Sequence, residues 1–114
     1  MGEYVPERGD YVILTFDPQS GREQKGRRPA LVISNYLFNK HTGLSVACPI
    51  TNTDRGFPFH VPVDADSELT GFIMVEQVKS IDYRARKLTF AGKCSRETLD
   101  EVLAILDASV YQGG

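Results

Sequence analysis

The chain has 114 residues, of which 41% are hydrophobic and 25% are charged, and its formal net charge is −2. This length fits one domain, residues 1–114, because a second core would have to be unusually small. No segment approaches the roughly 20 consecutive apolar residues that span a bilayer, and the N-terminus lacks the apolar core of a signal peptide. We therefore expect a cytoplasmic protein whose two cysteines are reduced.

Short apolar runs separated by Gly, Pro and Asn occupy most of the chain, which is typical of a small sandwich or barrel. The segment 39–43, which holds His41, is predicted to be a surface turn. Pro58 and Pro62 cannot donate to a strand ladder, so the strand between them should lie at an edge or carry a bulge. The predicted strands are Tyr11–Phe16, Ala30–Ser34, Ser45–Pro49, Phe59–Val63, Phe72–Val75, Val78–Tyr83 and a final strand around Leu88–Ala91.

The C-terminal segment changes from strand periodicity to helical periodicity. Ser95 is a suitable N-cap, and Glu97 lies in the first turn, where the helix dipole favours an acid. A single amphipathic helix must bury its apolar face against another element. The pattern predicts a mostly β, antiparallel barrel with a C-terminal α-helix that packs on the sheet. The apolar face consists of Leu99, Val102, Leu103, Leu106 and Val110.

The charged residues are unevenly distributed. Nine of the 13 basic residues fall in two short segments, residues 22–28 and 79–93, each of which contains one acid. The acids collect in residues 64–68 and along the predicted helix. Composition alone leaves two readings open: ordinary solvated charge, or a shared face that binds a polyanion.

Most familiar catalytic constellations are absent from the sequence. Two cysteines and two histidines so widely separated do not supply the ligands of a zinc site, and there is no phosphate-binding glycine loop. We expect no metal and no cofactor. His60 lies on the polar side of the predicted edge strand, where it would face solvent or a bound polyanion. Nothing indicates that His41 and His60 meet, as acid–base cleavage by a histidine pair would require.

Arg28 is the first residue of interest. It lies in the loop 24–29, directly before an apolar strand, and Pro29 disfavours helix at the position before it. Gly26 permits the close approach that a phosphate-binding loop needs, and the planar guanidinium suits a phosphoryl group. The alternative is a loop arginine that pairs with a surface acid.

Thr51 is the second residue of interest, because it follows the apolar strand that ends near Cys48. The hydroxyls and amides of residues 48–56 could donate to phosphate oxygens at a strand end. The alternative is a polar turn with no binding role.

The chain resembles the MazF/PemK family of mRNA interferase toxins over nearly its whole length. The resemblance lies in the order and spacing of a Gly-x-Arg-Pro loop, a threonine at a strand end, and a Gln-Val-Lys-Ser-Ile segment followed by Arg-Ala-Arg. The matching stretches are Val5-Pro6, Gly9-Asp10, Phe16-Asp17-Pro18, Glu23-Gln24, Gly26, Arg28-Pro29-Ala30, Pro49, Thr51, Gly56, Pro58-Phe59, residues 77–81 and residues 84–86.

The resemblance implies an SH3-like barrel of the PemK/CcdB kind that works as a homodimer. It implies metal-independent cleavage of single-stranded RNA at short recognition sequences, leaving a 2′,3′-cyclic phosphate and a 5′-hydroxyl. Arg28 and Thr51 fall on the two catalytic positions of the family. Asn52 departs from relatives that carry a second Thr or Ser. The implied partner, besides RNA, is a cognate MazE/PemI-like antitoxin with an acidic tail.

The basic segment 79–93 would then track the RNA backbone, with Arg84 and Arg86 on one face of a strand. Phe16, Phe57 and Tyr83 are candidates for base stacking, with a place in the core as the alternative. The full set of predicted RNA-binding residues is Phe16, Gln24, Lys25, Arg27, Thr53, Arg55, His60, Gln77, Lys79, Arg84 and Arg86.

Two other functions remain open from the sequence. One is a non-catalytic toxin on the same barrel that inhibits a protein target such as gyrase. The other is an RNA-binding barrel without toxicity. Arg28 and Thr51 together favour cleavage.

Overall fold

The computed structural model describes residues 3–15, 26–53 and 56–111 of the chain. Within these ranges, every strand pairing is antiparallel and the strands follow the order β4-β5-β3-β2-β1-β7, with β6 on β3. The strands are β1 Asp10–Thr15, β2 Arg27–Val32, β3 Leu44–Thr51, β4 His60–Pro62, β5 Phe72–Met74, β6 Lys79–Asp82 and β7 Thr89–Lys93. The helices are α1 Tyr36–Thr42 and α2 Arg96–Val110, and Val75–Gln77 forms a 3₁₀ turn.

Strand β3 connects the two halves of the sheet. Its first half pairs with β6, from Leu44 opposite Asp82, and its last two residues pair with β5, with Thr51 opposite Phe72. A strand that changes partner along its length bends the sheet toward closure. The predicted barrel-like, mostly β architecture with a C-terminal helix is confirmed. Among the described residues, strand β4 pairs with β5 alone and lies at the end of the strand order, as its prolines predicted.

Alternation along the strands supplies the sheet with two apolar faces. On β1, Tyr11 belongs to one buried cluster, whereas Val12 and Leu14 belong to the other. The first cluster includes Val102 of α2, so this cluster lies between the sheet and the helix. Full burial of each large aliphatic side chain contributes about 1.5–3 kcal/mol. Both cysteines are unpaired, and burial raises the pKa of the Cys48 thiol to about 12.

Helix α2 begins as the sequence predicted. The Ser95 side chain accepts a hydrogen bond from the Thr98 N–H, which makes Ser95 the N-cap. Asp64 accepts from the Ser95 N–H at 2.7 Å and from the hydroxyls of Ser95 and Thr98, which ties the helix to the loop after β4. Burial raises the pKa of Asp64, but hydrogen bonds from Thr98, Ser95 and Tyr11 outweigh it and hold the pKa below its usual value. Val110 departs from the predicted stripe, because it is 70% exposed.

The predicted turn at residues 39–43 is wrong, because this segment is the end of helix α1. Asn35 caps the helix by accepting from the Phe38 N–H, and Gly43 ends it in the left-handed conformation at φ 74°. Asn39 is fully buried and donates to the carbonyl of Pro6 at 2.8 Å. The helix turns exposed aromatic side chains to solvent, so no apolar stripe marked it in the sequence. His41 is exposed on its last turn, at the surface as expected.

The predicted strand from 78 to 83 is shorter than expected, and this changes the placement of two arginines. Strand β6 ends at Asp82, whose carboxylate accepts from the backbone N–H groups of Arg84 and Ala85. Hydrogen bonds of this kind, from backbone N–H groups to an Asp side chain, start a turn and end the pairing between strands. Arg84 and Arg86 therefore lie in a turn, and their predicted alternation on a strand face is wrong.

Candidate active site

The start of β2 and the end of β3 bring Arg28 and Thr51 to one edge of the sheet. Arg28 is the second residue of β2, and Thr51 is the last residue of β3. The two strands are antiparallel, with Ala30 opposite Pro49. Arg28 and Thr51 each lie two residues beyond this last pair on their strands, and residues that are two apart share a side of the strand. The two residues singled out in the sequence therefore lie at the same edge and on the same side of the sheet.

The Arg28 side chain is exposed, although its partner on β1, Leu14, is fully buried. Arg28 is thus the position at which this side of the sheet changes from core to solvent. Within the described residues, the guanidinium has no ion pair or hydrogen bond. A guanidinium is charged at all physiological pH values and carries five donors, so Arg28 presents a positive charge with unused donors at the sheet edge.

The Thr51 hydroxyl is oriented by its own turn. Its Oγ1 accepts a hydrogen bond from the backbone N–H of Thr53 at 3.1 Å. A hydroxyl has one proton to donate and two lone pairs. Because one lone pair is used by Thr53, the proton remains available to an acceptor outside the protein, such as a phosphate oxygen.

Asn52, whose role was uncertain from the sequence, has its orientation fixed by a neighbour. Its Oδ1 accepts from the Thr70 hydroxyl at 3.0 Å. The amide nitrogen of Asn52 therefore points away from Thr70 and keeps both of its donors. Asn52 is exposed, so these donors face solvent beside Thr51.

Gly71 lies against the backbone of Thr51, and the sequence did not predict that it belongs to the site. It adopts φ 119°, and a Cβ at this position would lie 2.4 Å from the carbonyl oxygen of Thr51 and 2.9 Å from Oδ1 of Asn52. Only glycine tolerates both the conformation and the contact. The one sequence signal was a glycine directly before the short apolar strand that starts at Phe72.

A cleft of about 240 Å³ opens beside Thr51. Inside it, Nε2 of His60 lies 3.0 Å from Oε2 of Glu76, and the ring centroids of His60 and Phe57 are 5.2 Å apart. Only 4% of the His60 side chain is exposed, so of its two predicted orientations the solvent-facing one is wrong, and the RNA-facing one stays a prediction. The cleft is lined by Thr51, Thr53, Phe57, His60, Met74, Glu76 and Gln77.

The chain is similar to known proteins over nearly its whole length. Residues 7–110 match the family model of the PemK-like, MazF-like toxin of type II toxin–antitoxin systems. The chain belongs to this family. The endoribonuclease toxin MazF of Escherichia coli K12 is 38% identical over 110 residues, which are 96% of this chain and 98% of that protein. The endoribonuclease toxin ChpB of the same strain is 40% identical over 109 residues, or 91% and 93% of the two chains.

Solved structures agree with this assignment. A MazE–MazF complex from Deinococcus radiodurans superposes with a TM-score of 0.88 at 36% identity, over 96% of this chain and 100% of that chain. A MazF structure from the same organism superposes with a TM-score of 0.85 at 39% identity, over 95% and 98%. The alternative of a non-catalytic toxin finds no support among these relatives.

The two arginines at the start of β2 point to opposite sides of this PemK/MazF-family sheet. Arg27 donates to the carbonyl of Ile13 at 3.2 Å and to the hydroxyls of Thr15 and Thr89 at 3.4 Å. Neighbouring residues of a strand alternate in direction. Arg27 therefore binds β1 and β7 on the side opposite Arg28, and its predicted RNA contact would be made away from Thr51.

The basic residues of segment 79–93 differ in their surroundings. Lys79 pairs with Ala47, which places it on the Thr51 side of β3. Arg86 donates from Nη1 to the Thr15 carbonyl at 3.3 Å.

Lys93 is bound by Asp10 at 2.6 Å, and this hydrogen bond is the main cause of its raised pKa. The charge of Lys93 is therefore partly neutralised by Asp10, while 58% of its side chain stays exposed. Arg84 forms an ion pair with Glu3 at 2.9 Å, with both side chains more than 60% exposed.

The residues predicted to stack on bases lie in different environments. Tyr83 is 3% exposed and donates its hydroxyl to the Asn39 carbonyl, so its prediction as a stacking residue is wrong. Phe57 is 46% exposed at the rim of the cleft and remains a candidate. Four predicted RNA-binding residues, Phe16, Gln24, Lys25 and Arg55, lie outside the described residues.

Two further features bear on cofactors and membranes. Among residues 3–15, 26–53 and 56–111, no three His, Cys, Asp or Glu side chains are grouped as metal ligands. No helix in the same ranges is long and apolar enough to cross a membrane.

Proposed function

We propose that this chain is a sequence-specific endoribonuclease toxin that cleaves single-stranded mRNA without a metal ion. The observation that carries the proposal is the Arg28–Thr51 edge, which pairs a charged guanidinium lacking any partner in the described residues with a hydroxyl whose proton is free. Relatives that are 38% and 40% identical over nearly the whole chain are named endoribonuclease toxins, which supports the same reaction here.

The chemistry that this edge suits is internal transesterification. The 2′-hydroxyl of the RNA attacks the adjacent phosphorus, its proton passes to a base, and the 5′-oxygen leaves with a proton. The products are a 2′,3′-cyclic phosphate and a 5′-hydroxyl. Negative charge grows on the non-bridging oxygens of the pentacoordinate phosphorus. Arg28 and the Thr51 hydroxyl would stabilise this charge as the donors of an oxyanion hole do.

RNA binding around this edge would use residues on the same side of the sheet. Lys79 lies on the Thr51 side of β3, and Phe57 offers an exposed ring at the cleft rim. Arg84 remains accessible, because an exposed ion pair such as its pair with Glu3 stabilises by only about 0–1 kcal/mol. Backbone contacts of this kind confer affinity, whereas base contacts confer sequence preference.

The toxin would act in the cytoplasm as a homodimer and be neutralised by a cognate MazE/PemI-like antitoxin. Complexes of MazE with MazF from Deinococcus radiodurans, which share up to 36% identity with this chain, support such a partner. A disordered acidic segment can occupy a groove that otherwise binds a polyanion.

The direct test is cleavage of an unstructured RNA in the presence of a chelator. We expect fragments with 5′-hydroxyl and 2′,3′-cyclic phosphate ends at unchanged rate in EDTA. A single 2′-deoxy substitution at the mapped cut should abolish that cut and leave the others, because the attacking group is gone. Cleavage that is lost in EDTA and restored by metal, or that continues at the 2′-deoxy position, would contradict the proposal.

A further inference from the structure

The His60–Glu76 pair is a buried histidine holding a carboxylate beside the proposed catalytic edge. An ionised carboxylate only accepts, so Nε2 of His60 is the donor of the 3.0 Å hydrogen bond. The ring is 96% buried, and its Nδ1 has no hydrogen-bond partner in the described part of the chain. The ring of Phe57 packs beside this imidazole, and among the described residues Glu76 is the one hydrogen-bond partner of the imidazole ring.

The hydrogen bond from His60 uses only one of the two carboxylate oxygens of Glu76. Within the described residues, Oε1 of Glu76 has no hydrogen-bond donor. The side chain is 27% exposed and lines the cleft that contains Thr51. Glu76 therefore presents a fixed acceptor to whatever enters the cleft.

The size and lining of the cleft fit one nucleobase. Its volume of about 240 Å³ is below that of sites for drug-sized ligands, which start near ~300 Å³. Phe57 supplies an aromatic ring at the rim, and Gln77 supplies an amide that can donate and accept. Single-stranded RNA is read by such pockets, in which a splayed base stacks on an aromatic ring and is hydrogen-bonded along its edge.

The fixed acceptor discriminates between bases. Adenine, cytosine and guanine each carry an exocyclic amino group that donates to a carboxylate. Uracil carries carbonyl oxygens on both sides of its single N–H, and these would face the negative charge of Glu76. An acceptor at this position therefore favours an amino-bearing base and disfavours uracil.

We propose that the cleft binds one base next to the scissile phosphate, that Glu76 selects an amino-bearing base over uracil, and that His60 is the positioning residue that holds Glu76. This inference rests on the proposed function, since it assigns part of the RNA site.

The test compares base preferences of the wild type and of Glu76→Gln. RNA with a randomised segment is cleaved, and the 5′ ends of the fragments are sequenced, which gives a preference at each position around the cut. The glutamine amide can donate to the uracil carbonyl. We expect the preference at one position to shift toward uracil by about tenfold to a hundredfold, with the other positions unchanged.

Three further variants test the positioning role and the location. His60→Leu removes the donor to Glu76 and should weaken the discrimination at the same position, whereas His60→Gln, which can still donate, should restore most of it. Glu97→Gln, on the exposed first turn of α2, should leave every preference unchanged. Thermal melting of each variant separates loss of selectivity from loss of the fold.

The outcomes separate this inference from the proposed function. If the wild type cleaves RNA, and Glu76→Gln and His60→Leu show the same base preferences as the wild type, the inference is wrong and the proposed function stands. A uniform loss of cleavage at all sequences in folded Glu76→Gln also overturns it, because Glu76 would then not act as a base reader. A wild-type protein that cuts no RNA overturns the proposed function and the inference with it.

Discussion

At the scale of single residues, the proposed chemistry depends on which donors are free. Thr51 uses a lone pair to accept from Thr53 and keeps its proton, and Arg28 has no partner in the described residues. Arg27, the neighbouring arginine, is held by Ile13, Thr15 and Thr89. Two adjacent arginines thus have different roles, because a strand directs them to opposite sides.

Thr51→Val removes the hydroxyl and keeps the shape of the side chain. We expect kcat to fall, because the variant lacks a donor that acts on charge in the transition state. The loss should be smaller than for Arg28, which contributes a full charge. Thr51→Ser keeps the hydroxyl and is the matched control, with activity near that of the wild type. Equal rates for Thr51→Val and the wild type in single-turnover cleavage would remove Thr51 from the mechanism.

At the scale of elements, the end of β3 is held in place by the start of β5. Phe72 pairs with Thr51, and the glycine before it leaves room for the Thr51 carbonyl. The position of the strand end that carries Thr51 therefore depends on Gly71, a residue without a side chain. Correct placement to within fractions of an ångström is what a preorganised donor requires.

Gly71→Ala should disturb this placement. The added Cβ would contact the Thr51 carbonyl at 2.4 Å, and the positive φ adds strain of about 1–3 kcal/mol. We expect lower thermal stability and a fall in activity of up to about 10²-fold, since displacements near 1 Å can cost this much.

Gly43→Ala is the matched control for Gly71→Ala. Gly43 also has positive φ, at 74°, but a Cβ there meets nothing within 4 Å, and it lies at the opposite end of β3 from Thr51. This variant should lose stability and keep its kcat. If both glycine variants lost activity to the same extent, strain alone would explain the effect and Gly71 would have no positioning role.

The sequence predicted the elements better than their contacts. The short apolar runs located the seven strands of the described residues to within a few positions, and Ser95 marked the start of α2. Helix α1 was missed because its aromatic side chains face solvent. The His60–Glu76 hydrogen bond joins residues 16 apart on different elements, and only the pairing of β4 with β5 brings them together. Local patterns contain no information of this kind.

At the scale of the whole molecule, a net charge of −2 is compatible with binding a polyanion because the charges are segregated. Lys79, Arg84 and Lys93 are all exposed, and Arg84 and Lys93 each pair with an acid, Glu3 for Arg84 and Asp10 for Lys93. Part of the positive charge of segment 79–93 is therefore already neutralised by acids of the same chain.

RNA affinity should fall as salt rises, because bound cations release counterions from the phosphates. Arg84→Glu or Lys79→Glu should reduce the slope of log K against log salt by about 0.7 for each phosphate that the variant no longer neutralises. Glu101→Lys, on the exposed face of α2, should leave the slope unchanged. Fluorescence titrations between low and physiological salt measure these slopes. Equal changes at both places would mean that these residues form no common binding surface.

The central claim is that Arg28 stabilises the transition state of RNA cleavage. The most direct test is the single-turnover cleavage rate of Arg28→Ala on an RNA that the wild type cuts, with a chelator present. Arg96→Ala is the matched control, because Arg96 is an exposed arginine on α2. We expect a rate decrease on the order of 10²-fold or more for Arg28→Ala, unchanged thermal stability, and no decrease for Arg96→Ala. A folded Arg28→Ala variant that cuts RNA at nearly the wild-type rate would contradict this claim.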